Sequence, residues 1–333
     1  MKLSLTYSID LMNISSEEFE KYSGSFYAEA GDTLISVKGD FNRNEKVCHF
    51  FFSSNAPVSA IYLIDKENGD YLRAAAELAR ALKGKLKFIS DPVAIRQLER
   101  DGYPTELARD YIITGCNSPT IPGVSQDVPG GLFNLALMLE LALNDGRSRM
   151  TGRQLGPHTG DPRRFESYEE VWDAFRQVEY FMEGALTMTD LDRAVFAELL
   201  PIPLQSALFQ GPMERGLDLF SGGTGRYARQ SISLAGAPNA GDGLAALKKV
   251  VFEEKRFPLS RVIDALDADF EGFDDVRCAL ERAPKFGNGD RYADAIVNDV
   301  LALGSDLMHR HTGYCGTPVI AAAATISSNV PLG

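Results

Sequence analysis

Tyr111-Ile112-Ile113-Thr114-Gly115-Cys116-Asn117-Ser118-Pro119 sets a short β-branched run directly against a cysteine that lies between a glycine and a proline. A run this short and apolar reads as a buried strand. Cys116 then falls just past the strand's C-terminal end, where α/β barrels and open sheets gather their loops on one rim. Gly115 tolerates unusual backbone angles, whereas Pro119 and Pro122 remove others, so the loop suits a presented thiol. A buried, inert cysteine that packs as a small hydrophobe fits the same local sequence.

Upstream, strand and helix patterns alternate. Ala60 to Ile64 is a short apolar run, and Leu72, Ala75, Ala76, Ala79 and Leu82 recur at helical spacing. Leu86 to Ile89 reads as the next strand, Asp91-Pro92 as a cap and first-turn pair, and Val93 to Arg100 as the helix they open. Leu107 to Asp110 adds a helical turn before the Tyr111 run. Residues 1–56 mix apolar stretches with polar turns such as Gly39-Asp40-Phe41-Asn42, a pattern of strands and loops.

Downstream the patterns are mainly helical: Leu132 to Asn144, then a helix opened by the capping box Ser167-x-x-Glu170 and running through Trp172 and Phe175. Further helices are expected from Asp190, Asp242 and Leu259, and a last long one keeps Ile296, Val300, Leu303 and Leu307 on one face. The class is therefore α/β, for which a parallel barrel is a natural form. With no linker rich in Pro, Gly or Ser, one domain is the simpler reading.

The 333 residues are 44% hydrophobic and 24% charged, a globular composition. A net charge of -12 argues against nucleic acid and anionic lipid, both of which need a concentrated basic face. No run approaches the roughly 20 apolar residues of a membrane span, and Met1 to Asp10 lacks a signal peptide's apolar core, so a cytoplasmic location is expected. Cys48, Cys116, Cys278 and Cys315 are widely spaced and form no CxxC pair, which points to reduced thiols rather than a disulfide framework or zinc ribbon.

Other candidates carry less chemistry. A nucleophilic cysteine needs a nearby base, and His49, His158, His309 and His311 cannot be placed beside one from sequence alone. His309, His311 and Cys315 match no metal-ligand spacing. Gly222-Gly223-Thr224-Gly225-Arg226 is glycine-rich but lacks GxxxxGK[ST], which leaves close backbone approach in a pocket or a packed turn. Thr159-Gly160-Asp161-Pro162 reads as a rigid turn, and Glu253-Glu254 as the solvated end of an amphipathic helix.

Together these segments resemble the glycyl radical enzyme family, the relatives of pyruvate formate-lyase. The resemblance runs in order from about Pro57 to the end: Tyr103; Ala108-Arg109-Asp110-Tyr111 to Gly115-Cys116; Pro119 to Gly123; Leu139 to Gly146; Thr151-Gly152; Thr159-Gly160-Asp161-Pro162 into Tyr168 to Trp172; Gly222-Gly223; Asp242 to Glu254; Ala283 to Asn288; and Ile326 to Gly333. It implies a ten-stranded α/β barrel ringed by helices, with residues 57–333 as an incomplete catalytic-cysteine domain behind an N-terminal segment, 1–56. It implies that Cys116 is the catalytic thiyl residue, that no cofactor binds the chain directly, and that an activating enzyme using S-adenosylmethionine and an iron–sulfur cluster installs a glycyl radical elsewhere. A neutral sulfur radical needs no histidine base.

Two departures shape what is expected. Pyruvate formate-lyase has two adjacent cysteines, where this chain has Gly115 and Asn117 around Cys116; the dehydratase-type members typically show Cys-x-Glu, where this chain has Ser118. The family's Arg-Val-x-Gly-Tyr type glycine loop has no counterpart in these residues, so the chain reads as unfinished and is expected to hold no radical alone. Its expected partners are a small-molecule substrate, the activating enzyme, and a complementary subunit or second copy. The alternatives are a catalytically silent homologue that acts as a binding or assembly module, and a cysteine hydrolase.

Overall fold

The computed structural model describes residues 5–8, 35–41, 46–52, 59–63, 76, 86–114 and 118–323. The chain divides into two compact units, Met1–Pro122 and Gly123–Gly333. Of the helix expected from Leu72 to Leu82 only Ala76 is described, and it is helical.

In the first unit β1 (Leu5–Ser8) pairs parallel with β2 (Ile35–Phe41), which pairs antiparallel with β3 (Lys46–Phe52). Gly39-Asp40-Phe41, read as part of a turn, is instead the end of β2. β4 (Ser59–Leu63) and β5 (Leu86–Ser90) pair parallel, as expected of successive β–α units. β5 runs straight into α1 (Asp91–Arg100). Ser90, rather than Asp91, holds the cap position, while Asp91 and Pro92 fill the first turn, where an acidic side chain and a missing N–H both suit the helix N-terminus. Ala94 and Leu98, four residues apart, are its buried pair, and Gly102 (φ 89°) turns the chain away after Asp101. The helical turn beyond it spans Thr105–Ala108, slightly earlier than expected.

β6 (Ile112–Thr114) pairs antiparallel with β7 (Ser118–Thr120) in register Ile112↔Thr120, Ile113↔Pro119, Thr114↔Ser118. This corrects the reading of Tyr111 to Thr114 as a buried strand: Ile112 and Thr114 are exposed and Ile113 half-buried. β-branching sets the extended backbone, but burial depends on what packs over the strand, which local composition does not report.

The second unit is built on a four-stranded sheet in the order β10-β11-β9-β8. β8 (Gln126–Asn134), β9 (Ala228–Ala235) and β11 (Thr317–Ala323) run parallel, and β10 (Thr312–Gly313) pairs antiparallel with β11. β9 is central, and every one of its residues except Ser233 is buried, as a parallel strand covered on both faces requires.

The last three residues of β8 fall within the helix expected from Leu132 to Asn144. Leu132-Phe133-Asn134 closes the strand, and α2 (Leu135–Ala142) begins only after Asn134, whose side chain accepts from Leu137 N at 3.0 Å. An unbroken apolar run satisfies both periods, so the cap residue decides the boundary. α3 (Tyr168–Phe175) opens with the expected capping box. α4 (Val178–Leu199) begins well before Asp190, which lies mid-helix because its carboxylate is used on other segments. β9 then passes through Gly236 (φ 71°) into α5 (Ala237–Leu247), five residues earlier than the expected start at Asp242, and α5 continues into a π-helical stretch, Lys248–Glu253. α6 (Leu259–Asp267), α7 (Asp274–Arg282) and α8 (Arg291–Arg310) follow.

The core lies between sheet and helices. Phe175, Leu135, Leu141, Met182, Leu244 and Ile263 are fully buried, each contributing about 1.5–3 kcal/mol of transfer free energy. Ile296 and Val300 of α8 are buried, and Leu303 and Leu307 pack against the cluster, the single face expected of that helix. Two glycines let backbones meet: a Cβ on Gly241 of α5 would stand 2.3 Å from Val297 Cγ2 of α8, and one on Gly130, at a register shift in β8, would stand 2.6 Å from Thr189 Cγ2 of α4.

Candidate functional site

Cys116 lies outside the described residues, as do its neighbours Gly115 and Asn117. What is described is the pair of strands on either side of it in sequence. Thr120 Oγ1 donates to Thr114 Oγ1 at 3.1 Å, and Thr114 Oγ1 lies 3.4 Å from the Ser118 carbonyl oxygen, so the first residues on each side of 115–117 are tied together. Tyr111, at the entrance of β6, donates its hydroxyl to Asp91 at the start of α1. This hydrogen bond ties the hairpin to α1 within the first unit.

The glycine turn of the second unit does not form a phosphate cradle. The amide N–H groups of Gly222, Gly223 and Gly225 donate to Leu219 O, Asp218 O and Gly222 O at 3.1, 3.0 and 2.9 Å, so they are already used within the turn. Its geometry is that of close packing. A Cβ on Gly223 would meet Leu217 O at 2.5 Å, and Gly222 (φ 78°) faces the Cβ of Cys315. Asp218 anchors the turn by accepting from Ile202 N and Ser206 Oγ, both at 2.8 Å, and from Phe220 N at 2.9 Å.

Each histidine described here has a partner. His158 Nδ1 stands 2.8 Å from Asp145 Oδ2, His309 Nδ1 3.3 Å from Ser305 Oγ, and His311 Nε2 2.6 Å from Asp190 Oδ2. The hydrogen bond from His158 holds the Asp145 carboxyl below the usual carboxylate range. His158 also lines an open cleft of about 540 Å³ whose walls include Pro157, Thr159, Phe165, Asp173 and Gln177. Among the described residues no three His, Cys, Asp or Glu side chains come together as metal ligands.

The Thr159 to Pro162 turn is the rigid element expected. Asp161 caps a 3₁₀ turn, Pro162–Arg164, and Gly160 (φ 96°) donates to Asp145 Oδ1 at 2.8 Å. It is also clamped to α6: Arg163 Nη2 spans Asp264 (2.9 Å) and Asp267 (2.6 Å), and Arg149 also bonds Asp267. Partial burial pushes the Asp267 carboxyl up, but the hydrogen bonds from the two arginines outweigh it and hold the group low. Glu253, read as a solvated helix end, is exposed and also accepts from Tyr292 Oη at 2.9 Å and Lys249 Nζ at 3.1 Å.

One polar cluster escaped the sequence reading. At the N-terminal ends of β9 and β11, Asp190 Oδ1 accepts from Tyr314 N (3.0 Å) and Gln230 Nε2 (3.2 Å), while its Oδ2 holds His311. One helical turn on, Arg193 is 2% exposed and reaches Thr317 Oγ1 at 3.4 Å. The available signal was an Asp and an Arg three apart on a helix whose other inward residues, Thr189 apart, are apolar.

Comparison with known proteins bears on the whole arrangement. A family model described as pyruvate formate lyase-like matches residues 47–333. A trans-4-hydroxy-L-proline dehydratase of Clostridioides difficile is 32% identical over 247 residues, 74% of this chain and 31% of that protein. An isethionate sulfite-lyase of Oleidesulfovibrio alaskensis is 34% identical over 271 residues, 79% of this chain and 32% of that one. The glycerol-bound B12-independent glycerol dehydratase of Clostridium butyricum superposes with a TM-score of 0.72 at 27% identity, covering 87% of this chain and 38% of that structure. The chain thus spans about a third of the length of these relatives. No helix among the described residues is long and apolar enough to cross a membrane.

Proposed function

Since the chain belongs to the pyruvate formate lyase-like family of glycyl radical enzymes, we propose that it supplies the catalytic-cysteine portion of a radical lyase, with Cys116 as the thiol that carries the radical. The observation that carries this reading is the family match over residues 47–333, a range that includes Cys116 and both strands that flank it. In this role the Cys116 sulfur radical takes a hydrogen atom from a substrate carbon, forming S–H and leaving the radical on carbon; the substrate then loses its neighbouring group and the thiol returns the hydrogen. Neither step requires a thiolate, so no base is needed beside the sulfur.

The parallel strands β8, β9 and β11 then belong to the ten-stranded barrel of the family, and residues 57–333 form the catalytic-cysteine domain behind the segment 1–56. The glycyl radical comes from a segment outside these residues, installed by an activating enzyme that uses S-adenosylmethionine and an iron–sulfur cluster, in the cytoplasm. The substrate is a small molecule. Ser118, in place of a carboxylate, directs the chemistry away from an eliminase that uses a Cys-x-Glu acid–base pair, toward loss or transfer of a group that needs no proton from that position.

The test combines the chain anaerobically with a polypeptide that carries the glycine loop, the activating enzyme and S-adenosylmethionine. A glycyl radical signal in electron paramagnetic resonance is expected, with substrate turnover that Cys116→Ser abolishes while the signal persists. Turnover retained by Cys116→Ser would remove Cys116 from the mechanism. A genome with neither a glycine-loop reading frame nor an activating enzyme would overturn the radical reading altogether.

A further inference from the structure

α4 is apolar on two faces. Its inner face buries Val178, Met182 and Leu186 in the core of the second unit. Its outer face carries Met188, Leu191, Val195 and Leu199, which follow one another at steps of three, four and four residues and so form one stripe along the helix. All four are exposed, by between 46% and 68%. A single exposed leucine needs no explanation, but a helix that is apolar all round is normally covered on both sides. Gly184 extends the stripe toward the N-terminal end of the helix, and a Cβ built there would meet nothing within 4 Å. A glycine in mid-helix costs about 1 kcal/mol relative to alanine; here it offers bare backbone against which a partner can pack closely. From Gly184 to Leu199 the stripe runs over about four turns, roughly 23 Å.

The flanks of the stripe are acidic. By helical position Asp192 lies on one side of it and Glu198 on the other, both exposed, with Glu183 further round the helix. The only basic residue of α4, Arg193, is buried on the inner face. Two copies of the chain joined through this stripe would set the same acidic flanks against each other, since a two-fold contact uses one patch on both sides. The net charge of -12 on each copy adds to that repulsion. The complementary surface is an apolar stripe with cationic flanks, which is what a basic amphipathic helix presents. The chain spans about a third of the length of its relatives, so the family has further polypeptide from which such a helix can come.

We propose that the outer face of α4 is a docking surface for an amphipathic α-helix of another polypeptide, seated on Met188, Leu191, Val195 and Leu199 with lysine or arginine side chains over Asp192 and Glu198. Apolar residues of the partner at i, i+3, i+4 and i+7 cover the stripe. Its cations speed the encounter and fix its register. In drawing the partner from the part of the family's length beyond these residues, the assignment rests on the proposed role of the chain as one portion of a radical lyase.

The full chain is titrated into two fluorescent helical peptides of about 18 residues with leucines at i, i+3, i+4 and i+7, one flanked by lysine and one by glutamate, and anisotropy is followed. The lysine-flanked peptide is expected to bind saturably and at least about tenfold more tightly than the other, by a margin that shrinks at about 0.5 M salt. Leu191→Gln with Leu199→Gln should weaken its binding about tenfold, and Asp192→Asn with Glu198→Gln should bring the two peptides within about twofold. Met150→Gln, at an exposed site outside α4, should change neither. Should the leucine variant fail to fold, the comparison of the two peptides on the unmodified chain still decides. No saturable binding, equal binding of the two peptides, or binding unchanged by the folded leucine variant would each overturn the proposal. A dimer of the chain in sedimentation that the leucine variant abolishes would overturn it too, by making a second copy the occupant. None of these readouts involves the radical, so failure of the docking surface is distinct from failure of the turnover experiment.

Discussion

Replacing Gly241 by alanine sets two physical effects of known size against each other. In an exposed helix interior the change would stabilise by about 1 kcal/mol, because alanine is the better helix former and restricts the unfolded chain. Gly241 is instead buried at the crossing of α5 and α8, where a Cβ would lie 2.3 Å from Val297 Cγ2, 3.0 Å from Val297 Cα and 3.1 Å from Val297 Cβ. The contact involves backbone, so a rotamer change at Val297 relieves only part of it and the helices must separate. Overpacking of this kind costs about 1–3 kcal/mol, and propensity recovers only part of it. A net loss of about 1–2 kcal/mol is expected, equivalent to a fall in Tm of roughly 2–8 °C for a unit of this size. Urea denaturation followed by circular dichroism measures it. Adding Val297→Ala removes the nearest methyl, so the double variant should be more stable than the sum of the single effects implies. A Gly241→Ala chain as stable as the parent or more so would refute the close α5–α8 approach on which the placement of β9 and β11 rests.

Three other outcomes can be checked with the same material. Ser167→Ala removes the cap to Glu170 N (3.2 Å) while the backbone N–H of residue 167 still donates to the Glu170 carboxylate, and should cost about 1 kcal/mol in urea, with the loss confined to the α3 end of the second unit by hydrogen exchange. Asp145 and Asp267 titrate below their unfolded values in the folded chain. Their stabilisation is therefore fully present above about pH 4–5 and is lost as pH falls through the folded values, so acid titration of Asp267→Asn should be shallower below about pH 4 than that of the parent. Asp190→Leu strands the donors of Tyr314 N and Gln230 Nε2 and releases His311, and should cost about 2–4 kcal/mol by thermal melting; a loss under about 0.5 kcal/mol would show that the cluster does not hold β11.

Local signals carried much of the fold. The β4–β5 pair, α1, the Ser167 box and the inward face of α8 all follow from patterns a few residues long, and each occurs where the sequence indicates it. The misreadings share a cause. Leu132 to Asn134 could join either period, and Asp190 resembles a helix start, until residues far along the chain claim them: Leu132 to Asn134 pair with Ser233 to Ala235 of β9, and Asp190 serves Gln230, His311 and Tyr314. The exposure of Ile112 is the same problem reversed, since an apolar run reports its preference for burial rather than whether anything covers it.

The candidate site was legible in a different way from the fold. Hydrolytic cysteine chemistry leaves a local imprint, because thiolate, base and oxyanion donors must meet within hydrogen-bond reach. Hydrogen-atom transfer by a neutral sulfur, the role proposed for Cys116, asks for little of this, so the residue carries no local signature beyond a strand-end loop and was singled out by motifs spread in order along the chain. Radical transfer at Cys116 should therefore be insensitive to the charge of neighbouring side chains, whereas a thiolate mechanism at the same residue would follow both that charge and the pH.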